Sequence, residues 1–181
     1  GFAGLFRLDY DEKLFKKIRK YEGIIDRIEV EINTYVSRIS ESKLSDTGTE
    51  EVRKMLKVID ELESIGDACQ KMTMNIYRKN KENIYFVQVI RDRLQQMFAL
   101  VDEALFIMAE NLGHTENINL VDAMALERRT NKLRDEINAE HAENLKQGTY
   151  DFKAGMVFSD LIHHCEKIGD HAINISETLQ D

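Results

Sequence analysis

Proline and tryptophan are absent from this 181-residue chain. An average composition would place about nine prolines in it, so a fold of many tight turns and short edge strands is disfavoured and long helices are expected. No long uncharged run occurs either. The longest stretches without Asp, Glu, Lys or Arg are the eight residues 83–90 and 94–101, far short of the about 20 apolar residues that a membrane-spanning helix needs. Basic residues are the minority, 25 against 33 acidic, for a net charge of −8, and no expected helix has an uninterrupted basic face. That balance argues against a nucleic-acid partner. The two cysteines, Cys69 and Cys165, are too sparse for a disulfide scaffold and lack metal-finger or redox spacing, which fits a reducing compartment. The chain begins at Gly1 without a signal peptide, so a domain cut from a longer protein is expected.

What is present is helical periodicity. Leu14, Ile18, Tyr21, Ile25, Ile28, Ile32, Tyr35 and Ile39 recur at three and four residues, the spacing of one helix stripe, and predict a helix over 9–41. Turn chemistry over 42–49, with Thr49 as N-cap, predicts a second helix over 50–78. A polar break at 79–83 precedes a third, which runs through Val87, Leu94 and Val101 to Leu112 and is capped by Gly113. A fourth is expected over 120–146. The adjacent Gly148 and Thr149 stop it and start a fifth near Tyr150.

The chain is internally duplicated. At an offset of 103 residues, Glu63, Ile65, Gly66 and Asp67 of the second helix fall on Glu166, Ile168, Gly169 and Asp170 of the fifth. At an offset of 105, Glu22, Ile28, Glu31, Ile32 and Asn33 of the first fall on Glu127, Leu133, Glu136, Ile137 and Asn138 of the fourth. The third helix has no full counterpart, since only residues 1–8 precede the first. The expected division is therefore a first repeat over 1–80, with a short or missing opening helix, and a three-helix repeat over 81–181.

Each pair of consecutive helices is expected to form an antiparallel hairpin, in which residues equidistant from the turn are level. This sets Glu22, Asp26 and Glu29 level with Asp67, Glu63 and Asp60 in the first hairpin. In the second, Glu127 faces Asp170, Asn131 faces Glu166 and Arg134 faces His163. Six carboxylates along one seam repel each other unless a cation intervenes. Oxygen clusters suit hard multivalent metals, and the imidazole of His163 widens the choice towards iron, zinc or nickel. Without metal, Arg19, Arg27, Lys57 and Lys71 stand close enough in sequence to neutralise the first seam, which leaves a metal-free helical adaptor as the alternative reading. Gly66 and Gly169 let a neighbouring helix approach beside the ladder. Cys69 and Cys165 are expected as core thiols, and His141, His164 and His171 as surface or boundary residues. A carboxylate-bridged di-iron enzyme would need paired Glu-x-x-His motifs. The sequence contains none, and no nucleophile–base pair or phosphate-cradling glycine loop is found, so no enzyme is expected.

The segments Leu62-Glu63-Ser64-Ile65-Gly66-Asp67 and Cys165-Glu166-Lys167-Ile168-Gly169-Asp170, with Glu22-Gly23-Ile24-Ile25-Asp26, resemble the repeated acidic signature of PhoU-like proteins and its partner motif on the preceding helix. The resemblance spans nearly the whole chain. It implies an all-α fold of duplicated antiparallel bundles, multinuclear metal clusters, and regulation of phosphate uptake at the cytoplasmic face of the membrane. By motif position it carries metal ligation to Glu22, Asp26, Glu63, Asp67, Glu127, Glu166 and Asp170, to which the ladder adds Glu29, Asp60 and His163. Iron or zinc is the expected metal, with nickel, manganese and magnesium as alternatives. The implied partner is a membrane phosphate transporter, or an upstream transmembrane domain of the same chain as in sodium/phosphate cotransporters that carry a PhoU-like region. A homodimer is expected from the incomplete first repeat, because its apolar stripe needs a cover. Two departures from the family pattern stand out: Asn131 in place of an acid, and the short N-terminus.

Overall fold

The computed structural model describes residues 11–40 and 45–180. Among them are five helices and no strand: α1 Glu12–Ser40, α2 Asp46–Lys81, α3 Gln88–Gly113, α4 Leu120–Gln147 and α5 Phe152–Gln180. The all-helical expectation holds.

Several ends differ from expectation for local reasons. Residues 9–10 and 41–44 lie outside the described residues. Asp11 opens α1 by accepting the N–H groups of Lys13 and Leu14 at 2.9 and 3.2 Å. α2 starts four residues before the expected Glu50, because Ser45 rather than Thr49 is the cap and its hydroxyl accepts from Gly48 N at 3.1 Å. Gly113 is the last helical residue of α3 and does not take the left-handed cap conformation. There the Asn111 side chain accepts Asn119 N–H at 2.8 Å, folding the connection back over the helix end without a left-handed residue. α5 starts two residues after Tyr150, with Asp151 accepting Ala154 N–H at 2.8 Å. Gly148 ends α4 as expected, at φ 69°.

α5 organises the packing. It lies against α2, α3 and α4, while α3 and α4 also pack on each other. Its sequence is apolar on nearly every side, and residues such as Leu161, Cys165, Ile168 and Ile175 are fully buried, as a helix at the centre of a bundle requires. α1 packs extensively only on α2. Of its apolar residues Val36 is buried, whereas Tyr21, Ile28 and Tyr35, spaced by seven, are 52, 47 and 61% exposed. The duplication explains the contrast. Leu126, the repeat equivalent of Tyr21, is 3% exposed within the bundle that α3 completes.

Gly66 and Gly169 occupy equivalent positions with unequal room. A Cβ at Gly66 would stand 3.1 Å from Cδ1 of Ile25 on α1, whereas at Gly169 the nearest atom is Cγ2 of Thr130 on α4, at 3.7 Å. Helix propensity favours alanine over glycine by about 1 kcal/mol. Gly169→Ala is therefore expected to stabilise the fold by about that amount, and Gly66→Ala by less, because Ile25 must move aside. Paired denaturant titrations measure both, and a larger gain at Gly66 would contradict the packing.

Candidate functional site

The α1–α2 seam gathers carboxylates as the repeat pattern predicts. Glu63, half-buried in the middle of α2, has its carboxyl pushed above the usual range. Burial is the first cause, followed by the charges of Asp67, Glu29 and Asp26, with Lys71 opposing. Two sides of the seam thus act on one carboxylate. The register agrees to within one helical turn, since Ile25 of α1 lies against Gly66 of α2, about half a turn from the level pairing expected. Glu22 is half-buried and Asp60 is exposed.

The nearby cations are unequally engaged. Lys71 Nζ lies 2.5 Å from Asp67 Oδ2, on side chains 56 and 41% exposed. Arg27 donates to the Gly23 carbonyl at 3.0 Å, and Arg19 stands over the Phe15 ring. Lys71 is thus the basic side chain, of the four expected, that pairs with a ladder carboxylate.

The α4–α5 seam is built differently. Arg134 donates to Glu166 and, at 3.0 Å, to Asn131 Oδ1; it also pairs with Asp135 at 2.9 Å. The expected facing of Arg134 with His163 is corrected by this geometry. The guanidinium reaches one rung further, to Glu166, where both side chains are about three-quarters buried. His163 Nδ1 lies 3.7 Å from Glu166 Oε2 on a largely exposed ring. Asp170 is pushed above the usual carboxylate range by burial and then by Glu166 and Glu127, against the lowering effect of Arg134 and His171. Glu127, Glu166 and Asp170 therefore do form one cluster, with a fixed cation inside it.

Among the described residues, no three His, Cys, Asp or Glu side chains converge closely enough to hold a metal ion. In donor chemistry the seams still separate. The first is a set of oxygens whose repulsion is offset by one exposed lysine, which suits a hard cation. The second already holds its own cation, and a guanidinium in place of a ligand does not fit a metal centre.

One polar cluster was not legible from the hairpin pattern. Glu61 of α2 accepts from Asn174 Nδ2 at 3.2 Å on each carboxylate oxygen, and lies 2.6 Å from His171 Nδ1. It ties α2 to α5. His171 is thereby a bridging residue between the two repeats, where only a boundary position was expected. Numbers counted from a turn locate contacts within a hairpin, and this contact lies between hairpins. Cys69 and Cys165 are thiols at the same junction, as expected of core residues. Burial pushes Cys69 up to about 12 and Cys165 higher still, so neither is a ready nucleophile.

A duplicated helical bundle with an acidic seam in each half defines the class: an all-α repeat protein whose polar chemistry lies along its hairpins. The family model described as the PhoU domain matches residues 7–76 and again 90–179, and the chain belongs to the PhoU family. In fold it is similar to the phosphate transport system regulatory protein PhoU from Streptococcus pneumoniae, known from a crystal structure. The TM-score is 0.72 at 18% identity, over 92% of this chain and 77% of that one. No curated relative matches the chain.

Proposed function

We propose that this chain is a non-enzymatic regulatory domain that controls phosphate uptake by a membrane phosphate transporter, from the cytoplasmic side. The observation that carries the reading is the PhoU match in both halves, at the positions of the two acidic hairpins. The transporter is either a separate protein or an upstream transmembrane domain of the same chain. A cation, iron or zinc first, is held on the first seam by Asp26, Glu29, Glu63 and Asp67, with Glu22 and Asp60 at its ends, and relieves the repulsion that raises Glu63. On the second seam, Glu127, Glu166, Asp170 and His163 share their site with Arg134 and hold metal more weakly. A second copy covers the exposed stripe of α1, giving a dimer. The metal-free adaptor stands as the second reading, favoured by the Lys71–Asp67 and Arg134–Glu166 pairs, which neutralise part of each seam without metal.

The test is phosphate uptake in cells that carry the full-length gene or a version without this segment. Uptake in the intact cells is expected to fall when external phosphate is raised. In cells that lack the segment it is expected to stay high. Equal repression in both would refute a regulatory role.

A further inference from the structure

The charge of this chain is strongly polarised along the bundle. The Phe15–Tyr77 ring contact, at 5.8 Å between centroids, sets the start of α1 beside the end of α2. Lys153 lies 3.8 Å from Glu82, and His141 Nδ1 2.8 Å from Tyr150 Oη, which add the start of α5 and the end of α4. The Arg93–Glu140 pair adds the start of α3. One end of the molecule is thus made of segments 11–21, 71–93 and 140–160, which carry 13 basic residues and 8 acidic ones. The rest of the chain carries 12 basic and 25 acidic residues.

The carboxylates of the basic end are largely spent locally. Asp11 and Asp151 accept helix-opening N–H groups, and Glu12, Glu82 and Asp160 are paired with Lys16, Lys153 and Arg78. Lys13, Lys20 and Lys81 are exposed. The same end bares large apolar side chains on its rim: Tyr85 in the α2–α3 connection is 69% exposed, and Phe152 and Met156, one turn apart on α5, are 68 and 47% exposed. The opposite end also exposes Phe106 and Val121, but in acidic surroundings.

We infer that this basic, aromatic-studded end docks on an anionic phospholipid surface. Lysines near such a surface are attracted through the surface potential, and aromatic rings settle at headgroup depth. The shape favours lipid over an acidic peptide. The one described cavity at this end, lined by Arg93, Glu140, His141 and Tyr150 among others, has a volume of about 10 Å³, room for one water and no groove for a side chain. A convex tip suits a fluid layer. The inference deepens the membrane placement proposed above and rests on it for its physiological setting.

The test is co-sedimentation of the chain with vesicles of phosphatidylcholine alone or mixed with phosphatidylglycerol, at low and high salt. Binding to the anionic vesicles only, reversed by salt, is expected. Lys20→Glu/Lys81→Glu should weaken it at least about tenfold, and Tyr85→Ser/Phe152→Ser should weaken it without changing its salt dependence, with helix content unchanged in both. Absence of anionic-vesicle binding at low salt overturns the inference, as does binding indifferent to both pairs. Capture by polyglutamate without vesicle binding would replace the lipid with an acidic protein. The vesicles contain no transporter, so this result and the phosphate-uptake result fail independently.

Discussion

Replacing Arg134 with methionine is expected to destabilise the second repeat by about 1–3 kcal/mol, the cost of leaving a hydrogen-bonded, partly buried charge without its partner. The guanidinium serves Glu166, Asn131 and Asp135 at once, and its loss leaves Glu166 beside Asp170 and Glu127 with no cation between them. Methionine keeps the aliphatic bulk, so the loss reads charge rather than packing. For a chain of this size the melting temperature should drop by roughly 5 °C. The deficit should shrink in acid, because a carboxylate whose folded pKa is raised, such as Asp170, binds its proton more readily when folded. Its contribution to stability is present at low pH and lost as pH rises through the raised value. In the variant the Asp170 carboxyl rises further, which moves that loss to a higher pH. Added divalent cation should restore the variant more than the parent chain. A variant as stable as the parent at neutral pH would show that the Arg134–Glu166 pair contributes nothing net.

Neutralising each seam separately should give unequal losses of metal. Glu63→Gln/Asp67→Asn is expected to remove most of the bound cation, and Glu166→Gln/Asp170→Asn little, because Arg134 already balances the second cluster. Elemental analysis of protein purified without chelator measures this. Greater loss from the second pair would reverse the ranking. A further readout separates metal binding from the metal-free reading. Since burial and three neighbouring carboxylates hold Glu63 above its usual range, Glu63→Gln in chelator at neutral pH should gain about 0.5–1 kcal/mol, the size of a surface charge term. Below about pH 4, where glutamate is protonated in both states, the gain should vanish. With metal present the same substitution should lower stability instead.

The acidic seams were legible because they follow from periodicity alone. In an antiparallel hairpin the level of each residue is fixed by its distance from the turn, so Asp26, Glu29, Glu63 and Asp67 could be brought to one seam by counting. The counting was accurate to about half a turn. Caps such as Ser45 and Asp151 moved helix starts by a few residues without moving the faces. Arg134 was legible as a residue beside the ladder, but not as a partner of Glu166. A long side chain chooses among several rungs, and hydrogen-bond geometry rather than level makes the choice.

The sequence by itself determined the helices, the duplication and the membership of each acidic residue in one hairpin or the other, because all three depend on spacing along the chain. Tertiary structure alone decided how the hairpins meet. α5, apolar on nearly all sides, takes the centre against α2, α3 and α4, and that placement brings Glu61 to His171 and Asn174 across 110 residues or more. It also decided that the Tyr21, Ile28 and Tyr35 stripe stays exposed. A stripe's apolar character is written in its own residues, whereas its burial depends on whether a second surface reaches it.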